Sequence, residues 1–482
     1  MKLRLLFAVI ITLIPSIIIA QQPSSREWTL QQAIEYAQEH NLSIRQNELN
    51  VRLAKLQLLQ TQLSQLPSIN SNVGYGTSFG RSIDPTSNQF ISSSYNFVSV
   101  SGSANVLLFG WFQTRNNIKA NELSLRAAQA DKEQLQNDVS LNVATGYLRL
   151  ILAKEQVRTS RKQVSLSAAQ LEQTKKFVQT GRLPELSAKQ MEAQLGNDSA
   201  TLIGAIANYD NAIIDMKALL NLDFTTPFDI VEPDVSIEKQ FSLQDLNPEY
   251  IYETARQNFY SIKSSEWNKQ AAHKRVQAAK GALYPQLALS GQYGTNYSSS
   301  YKELTTYKIT GAQPTGSYAV DTLSNKILPV YQPVLHYETQ PVSLNQQLRN
   351  NARQTISLGL NIPLFNGWQA TSQLKQAKIN WLASDYNQQA AMLKLKQDVY
   401  KAYNDVHNAI QKYYAAQRAA IAAQEAFTYA QKRHELGLTN TVEYLTTQNT
   451  QFVSESNLQS AKYDLIFKLK VIDYYLGKTI QL

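Results

Sequence analysis

The stretch Gln354-Thr355-Ile356-Ser357-Leu358-Gly359-Leu360-Asn361-Ile362-Pro363-Leu364-Phe365-Asn366-Gly367-Trp368 decides how the rest of the chain is read. Ile356, Leu358, Leu360, Ile362 and Leu364 alternate with Ser357, Gly359 and Asn361, the period of two that gives a β-strand one apolar and one polar face. The same pattern occurs earlier. Val98, Val100, Ala104, Val106 and Leu108 alternate with Ser99, Ser101, Ser103 and Asn105, and Leu108-Phe109-Gly110-Trp111 closes the run. Two further strands begin just after Pro67 and Pro285, with Ile69, Val73, Tyr75 and Phe79 in one and Leu287, Leu289, Tyr293 and Tyr297 in the other. Each strand runs roughly ten to twelve residues, the span a tilted strand needs to cross an outer membrane.

Working outward, the chain repeats itself. Leu66-Pro67-Ser68-Ile69 matches Tyr284-Pro285-Gln286-Leu287, and Leu108-Phe109-Gly110-Trp111 matches Leu364-Phe365-Asn366-Gly367-Trp368. Phe109 to Phe365, Gly181 to Gly437 and Asn221 to Gly477 share one separation of about 256 positions, so this part aligns without gaps. Residues 21–245 and 246–482 are expected to be two copies of one structural repeat: a helical stretch, a strand pair and a long helix hairpin. The helical stretches are Thr29 to Leu66 and Pro248 to Leu283, each ended by proline. Pro67 and Pro285 lie about 218 apart, so the second copy carries about 38 extra residues, within Ser298 to Asn351. That segment is rich in Tyr, Ser, Thr, Asn and Pro and has no helical period. It reads as a long loop, residues 298–353, on the extracellular side of the strands.

Between Pro85 and Pro184, and again after Pro363, there is no proline. Phe112 to Thr180 reads as one helix of about 69 residues, close to 100 Å long. Along it Val143, Leu150, Val157, Val164, Leu171 and Val178 recur every seven residues beside the small stripe Gly146, Ala153, Ser160, Ser167 and Thr174. The second copy repeats this with Val399, Val406, Tyr413, Ala420 and Phe427 beside Ala402, Ala409, Ala416, Ala423 and Ala430. A sustained heptad imposes coiled-coil packing. The returning helices share the period through Leu195, Leu202, Tyr209 and Met216, and through Leu458, Leu465 and Ile472. The hairpins turn at Gly181-Arg182-Leu183-Pro184 and Gly437-Leu438-Thr439-Asn440.

Residues 1–20 read as a secretory signal peptide, with Lys2 and Arg4 before the apolar run Leu5 to Ile19 and Ala20 at its end. Losing Lys2 and Arg4 takes the formal charge from +9 to +7, and with no cysteine in the chain there is neither a lipid-modified cysteine nor a disulfide. Past the signal no run of about 18 apolar residues occurs, so strands must do any spanning. Four strands cannot close a membrane barrel, whose smallest form has about eight, so a spanning chain must oligomerise. Two chains supply eight strands and three supply twelve, and strand arithmetic does not choose.

In combination these features resemble the TolC-like outer-membrane factor family, over essentially the whole mature chain. Trp28-Thr29-Leu30-Gln31-Gln32-Ala33-Ile34-Glu35-Tyr36-Ala37, the Leu-Pro and Tyr-Pro entries to strands, Ile362-Pro363-Leu364-Phe365-Asn366-Gly367 and the glycine-led helix turns carry the likeness. The resemblance implies a mixed architecture of coiled-coil helix and transmembrane β. In a homotrimer, four strands per chain would complete a 12-stranded β-barrel in outer-membrane lipid, and the helices a 12-helix α-barrel in the periplasm. It implies a passive duct for drug efflux or type I secretion. The duct would receive substrate from an inner-membrane pump of RND, ABC or similar type through a periplasmic adaptor, or membrane fusion protein. The adaptor-contact tips implied are Gly181, Arg182, Leu183, Gly437, Leu438 and Thr439. The periplasmic aperture implied is Glu443, six residues past Gly437, where three copies would form a carboxylate ring that attracts cations. Elsewhere the latch pattern of the family is not matched: Ser187, His434, Thr439 and Thr446 stand where it has an acid, an aromatic, an arginine and a second acid. His434 is a titratable group at that gate.

Other functions have less support. The five histidines are isolated, and no metal-ligand spacing, nucleophile elbow or phosphate loop occurs, so neither an enzyme nor a cofactor is expected. The basic balance is scattered over helix faces and carries no nucleic-acid motif. A non-pore structural coiled-coil protein of the cell envelope is the alternative; it accounts for the heptads but leaves the strands and the duplication unused.

Overall fold

The computed structural model describes residues 27–83, 88–92, 94–232 and 247–478; the expected signal peptide lies outside them. In chain order the elements are β1 (Glu27–Trp28), α1 (Leu30–His40), α2 (Leu42–Leu63), β2 (Ser68–Ser78), β3 (Ser82–Ile83), β4 (Phe90–Ile91), β5 (Tyr95–Phe109), α3 (Gln113–Gln179), α4 (Glu185–Leu220) and β6 (Asp229–Ile230). Then follow α5 (Pro248–Asn258), α6 (Tyr260–Gly281), β7 (Gln286–Ser298), β8 (Lys302–Val320), β9 (Ile327–Pro341), α7 (Leu344–Asn350), β10 (Arg353–Asn361), α8 (Gln369–Glu435) and α9 (Thr441–Tyr475). Helices α3 and α8 each have 67 residues, about 100 Å of helix. No described helix is long and apolar enough to cross a membrane. The chain divides into two compact units, one of Arg52–Ala127 and Ser265–Gln388, the other of Met1–Val51, Ala128–Ser264 and Gln389–Leu482.

The first unit is built on a four-stranded antiparallel sheet, ordered β10-β7-β5-β2. All four strands expected from period two are there, but β2 stops at Ser78, before Phe79, and β10 at Asn361, before Ile362 and Leu364. Their register carries the alternation from strand to strand: Val73 pairs with Val100, Val98 with Tyr297, Val106 with Leu289 and Leu289 with Leu358. One face is therefore mostly apolar, interrupted by Ser71, Thr295 and Gln354, and the other carries Asn70, Asn72, Ser101, Ser103, Gln292, Asn296 and Thr355. A shallow cavity of about 640 Å³ lies over this polar face, so the polar side is the concave one. The apolar face is uncovered within the chain, Ile69 being 79% and Ile356 83% exposed. Among the described residues, β2 and β10 each pair on one side only.

The strand-to-helix crossings of this unit turn through left-handed backbone at Trp111 (φ 48°) and Phe112 (φ 60°), and at Gly367 (φ 62°) and Trp368 (φ 67°). An L-residue there costs about 1–2 kcal/mol. At the first crossing the strain is offset by ring packing, with Trp111 4.8 Å from Tyr284 and 5.5 Å from Phe109.

The stretch read as an irregular loop is ordered. β8 and β9 form a long antiparallel ribbon whose register shifts between Leu304 and Thr306, Ile309 and Gly311, and Pro314 and Tyr318. These bulges, with Pro314, Pro329 and Pro333 inside the strands, interrupt strict alternation and hide the ribbon from a period count. Helix α7 follows, and its Gln347, 1% exposed, clips the ribbon's base. Gln347 Nε2 donates to the carbonyls of Ser298 (3.0 Å) and Val342 (2.9 Å), and its Oε1 accepts from Ser298 N (3.0 Å).

The second unit is helical. Its core takes Val143, Leu150 and Ile151 of α3, Met216 and Leu220 of α4, Val399 and Val406 of α8, and Leu465, Ile466 and Ile472 of α9, with Leu30, Ile34 and Ile251 from the short helices. The heptad stripes enter this core through Val143, Leu150, Val399 and Val406, while Leu171 and Phe427 belong to a second, smaller cluster and Val157, Val164 and Val178 are half-buried. β1 and β6 pair in parallel, and the Tyr147 hydroxyl sits between the carbonyls of Trp28 (2.9 Å) and Val231 (2.6 Å). Lys154 holds Asp229 at 3.0 Å. The two helical stretches that open the repeats, Thr29 to Leu66 and Pro248 to Leu283, are each broken once, at Asn41 and at Phe259, both with extended backbone. Asn41 Oδ1 accepts from Ser43 N at 2.9 Å, and Phe259 packs 5.1 Å from Tyr474 and 5.6 Å from Tyr475. A local cap makes the first break and a tertiary aromatic cluster accompanies the second.

Candidate gate at the helix tips

Both hairpin turns belong to the helical unit and share one geometry. Gly181 and Gly437 each have φ of 75°. Arg182 N donates to Phe177 O (2.9 Å) and Gly181 N to Val178 O (3.0 Å); Leu438 N donates to Arg433 O (2.8 Å) and Gly437 N to His434 O (3.0 Å). These are Schellman caps, which explain the two glycines without any partner. The restarts differ: Asn440 Oδ1 caps α9 by accepting from Glu443 N at 2.7 Å, whereas Pro184 begins α4 with no side-chain cap. Arg182 lies over the Phe177 ring at 4.5 Å. Leu186, Leu436 and Leu438 are exposed, so apolar side chains crown both tips.

Behind the tips, Tyr444 joins four helices. It is 2% exposed and sits in a small cluster with Leu171 of α3, Met191 of α4, and Phe427 and Ala430 of α8. Its hydroxyl accepts from Gln170 Nε2, and His434 stacks on its ring at 4.7 Å and 15°. Burial raises the Tyr444 pKa, keeping the phenol neutral. Burial also lowers that of His434, against the opposing pull of the Thr439 backbone and Glu435. Ser187 is buried and accepts from Thr441 Oγ1 at 3.1 Å, so the two hairpins are bonded together at their ends.

Glu443 occupies the third position of α9, where an acid faces the positive end of the helix dipole. Its carboxylate accepts from Arg433 Nη1 (3.2 Å) and Thr439 Oγ1 (2.5 Å), while Arg433 Nη2 reaches Leu438 O (3.2 Å). Arg433 and Glu443 are each about half exposed, 54% and 49%. Thr446 is exposed, its hydroxyl returned to Val442 O at 2.8 Å. Gly181, Arg182, Leu183, Gly437, Leu438 and Thr439 lie in the two turns; Ser187, His434, Thr441 and Tyr444 come together just behind them. Glu443 sits at the second turn, bonded to Thr439.

Sequence reasoning missed a polar seam that continues from this cluster. Asp198 of α4, 8% exposed, accepts from Ser167 Oγ, from Gln163 Nε2 (3.3 Å) and from Gln194 Nε2 (2.9 Å); Gln448 Nε2 donates to Ser167 Oγ at 3.4 Å. Ser160, Ser167 and Thr174, expected as a stripe for close approach, are buried here. Ser160 Oγ, Gln170 Oε1, Gln448 Oε1 and His434 Nδ1 are buried with no hydrogen-bond partner among the described residues. An incompletely satisfied polar seam packs less firmly than the apolar core farther from the tips. Arg433 was missed as well, although a basic residue in the last turn before a glycine cap, opposite an acid in the first turn of the next helix, is a readable signal.

A family model described as outer membrane efflux protein matches residues 33–222 and 251–477. The outer membrane protein TolC of Vibrio cholerae is 21% identical over 416 residues, 86% of this chain and 82% of that protein. Among solved structures, the outer membrane protein VceC of Vibrio cholerae superposes with a TM-score of 0.73 at 15% identity, covering 94% of this chain and 97% of that one. The CmeC outer membrane channel of Campylobacter jejuni gives 0.72 at 16% identity, covering 93% and 85%. The fold, long helices joined to a small sheet, is the one these proteins share.

Proposed function

The chain belongs to the outer membrane efflux protein family, and from that premise we propose that three copies form a passive outer-membrane duct whose helix tips are its periplasmic gate. Its place is the outer membrane. The observation that carries the reading is the four-stranded sheet, apolar on one face, polar on its concave face and open at both edges. Because its strands alternate in direction, β10 of one copy meets β2 of the next antiparallel, a head-to-tail contact that closes into a ring. Eight strands leave an interior just filled by side chains, whereas twelve leave a lumen, and Asn70, Asn72, Ser101 and Gln292 require water. A coiled-coil rod that never meets lipid would have no use for the apolar face.

The duct catalyses nothing; it opens and closes. In the closed state Tyr444, Gln170, Ser187 and Thr441 hold the hairpins together. Parting α8 and α9 from α3 and α4 breaks the packing of Tyr444 on Leu171 and Met191 and a few hydrogen bonds, among them Gln170 to Tyr444 and Thr441 to Ser187. Only the second tip keeps an acid where the family has one, Glu443, so the two hairpins open unevenly. A periplasmic adaptor delivering substrate from an inner-membrane pump docks on the exposed turns, and the exposed Leu186, Leu436 and Leu438 provide its apolar footing. Purified protein in a planar bilayer tests the reading: discrete conductance steps from an oligomer support it, and a silent protein recovered free of membrane refutes it. Cross-link scanning from Arg182 and Leu438 to the cognate adaptor tests docking, and contact from neither tip refutes it.

A further inference from the structure

The ribbon β8–β9 is two-faced, although its sequence does not alternate. The first two bulges each insert one residue in β8 and the third inserts two, so Leu304 and Tyr307, three apart, fall on one side, and the register of the pairs Tyr307 with Tyr337 and Ile309 with Leu335 fixes which. One face carries Leu304, Tyr307, Ile309, Leu335 and Tyr337. The other carries Lys308 paired with Glu338 at 2.6 Å. Within one chain the apolar face is bare: Leu304 is 52%, Ile309 67% and Tyr337 55% exposed. A two-stranded ribbon is marginal in water unless that face is covered. It is nonetheless held in place, since buried Gln347 ties its two stems at Ser298 and Val342. β8 is 19 residues long, a reach of about 60 Å.

We propose that in the assembled channel the ribbon's apolar face packs on the ribbons of the neighbouring copies, so that three ribbons form a cap over the outer mouth. The occupant is a second copy because of where the ribbon is inserted. It leaves β7 and returns into β10, so it rises at the β10 edge of the sheet, the edge left for the next copy. The strands' other ends lead into the long helices, which places the ribbons at the opposite mouth. The inference rests on the trimeric reading above.

The chain has no cysteine, so single cysteines report cleanly. Ile309→Cys and Tyr337→Cys, on the apolar face, and Lys308→Cys, on the polar face, are treated on intact cells with a short bifunctional maleimide. Unboiled gels report the trimer separately. The expected result is chain-to-chain linkage at least about tenfold greater from the apolar positions than from Lys308→Cys. An intact trimer with equal or absent linkage at Ile309→Cys overturns the cap, as does labelling of that thiol by a lipid-soluble probe, which would lay the ribbon on the membrane. A monomer on unboiled gels overturns both cap and trimer. Deleting Thr306 to His336 is expected to raise open-channel conductance, and unchanged conductance overturns the capping role.

Discussion

Tyr444→Ala should unlock the gate. The ring is 2% exposed, stacked on His434 and packed against Leu171, Met191 and Phe427. Truncating a buried aromatic to alanine costs about 3–5 kcal/mol, the sum of lost transfer energy and the cavity left behind. The loss falls on the tip, where Gln170 Oε1 and Gln448 Oε1 have no partner among the described residues, so it is spent in local opening rather than global unfolding. At about 1.4 kcal/mol per tenfold, the open population rises by roughly a hundredfold to a few thousandfold. Tyr444→Phe keeps the ring and leaves the Gln170 amide without its acceptor, worth about 1–2 kcal/mol, or roughly five- to thirtyfold. Resting conductance in bilayers and amide exchange at residues 434–448 both read the effect, in the order Ala, then Phe, then the natural chain. Wild-type resting conductance together with wild-type protection in Tyr444→Ala would refute the assignment of Tyr444 as the lock.

Glu443→Gln removes the charge held by Arg433 and Thr439; because that pair is half exposed, stability should move by less than about 1 kcal/mol while cation selectivity falls, and unchanged selectivity in bilayers takes Glu443 out of the gate. The imidazole of His434 is held below its ordinary value near 6.5 by burial, so the opened tip takes up a proton before the closed one does. Closure should therefore be complete above about pH 6.5 and weaken as pH falls below it; His434→Gln should flatten that dependence in conductance recordings. Gly437→Ala places a Cβ at φ 75° and should cost about 1–2 kcal/mol, seen as faster exchange at the second tip. Asp198→Ala leaves Ser167, Gln163 and Gln194 without their shared acceptor, and a loss of about 3 kcal/mol or more is expected in thermal unfolding of the helical unit.

The four strands of the sheet were legible because their constraint is local: a strand with one apolar and one polar face must alternate, and Ile356 to Asn361 of β10 does so without interruption. The 67-residue helices were legible from absent prolines and sustained heptads, and the tips from Gly181 and Gly437, whose left-handed backbone few other residues tolerate. What escaped was set by distance. Asp198 and Ser167 are 31 positions apart, and Gln448 reaches Ser167 across 281, so no spacing rule joins them. The break at Phe259 coincides with Tyr474 and Tyr475, far along the chain. The ribbon escaped for the opposite reason, since its bulges put Leu304 and Tyr307 on one face and erase the period that a strand otherwise shows.

Closure of one barrel by several chains is tested most directly across the open edges. Cysteines at Asn70 or Asn72 of β2, combined with Thr355 or Ser357 of β10, would be oxidised in intact outer membranes and the products resolved on denaturing gels. Twelve strands in one barrel require a ladder that ends at three chains. A ladder ending at two, or the single chain alone from every edge pair, would contradict it.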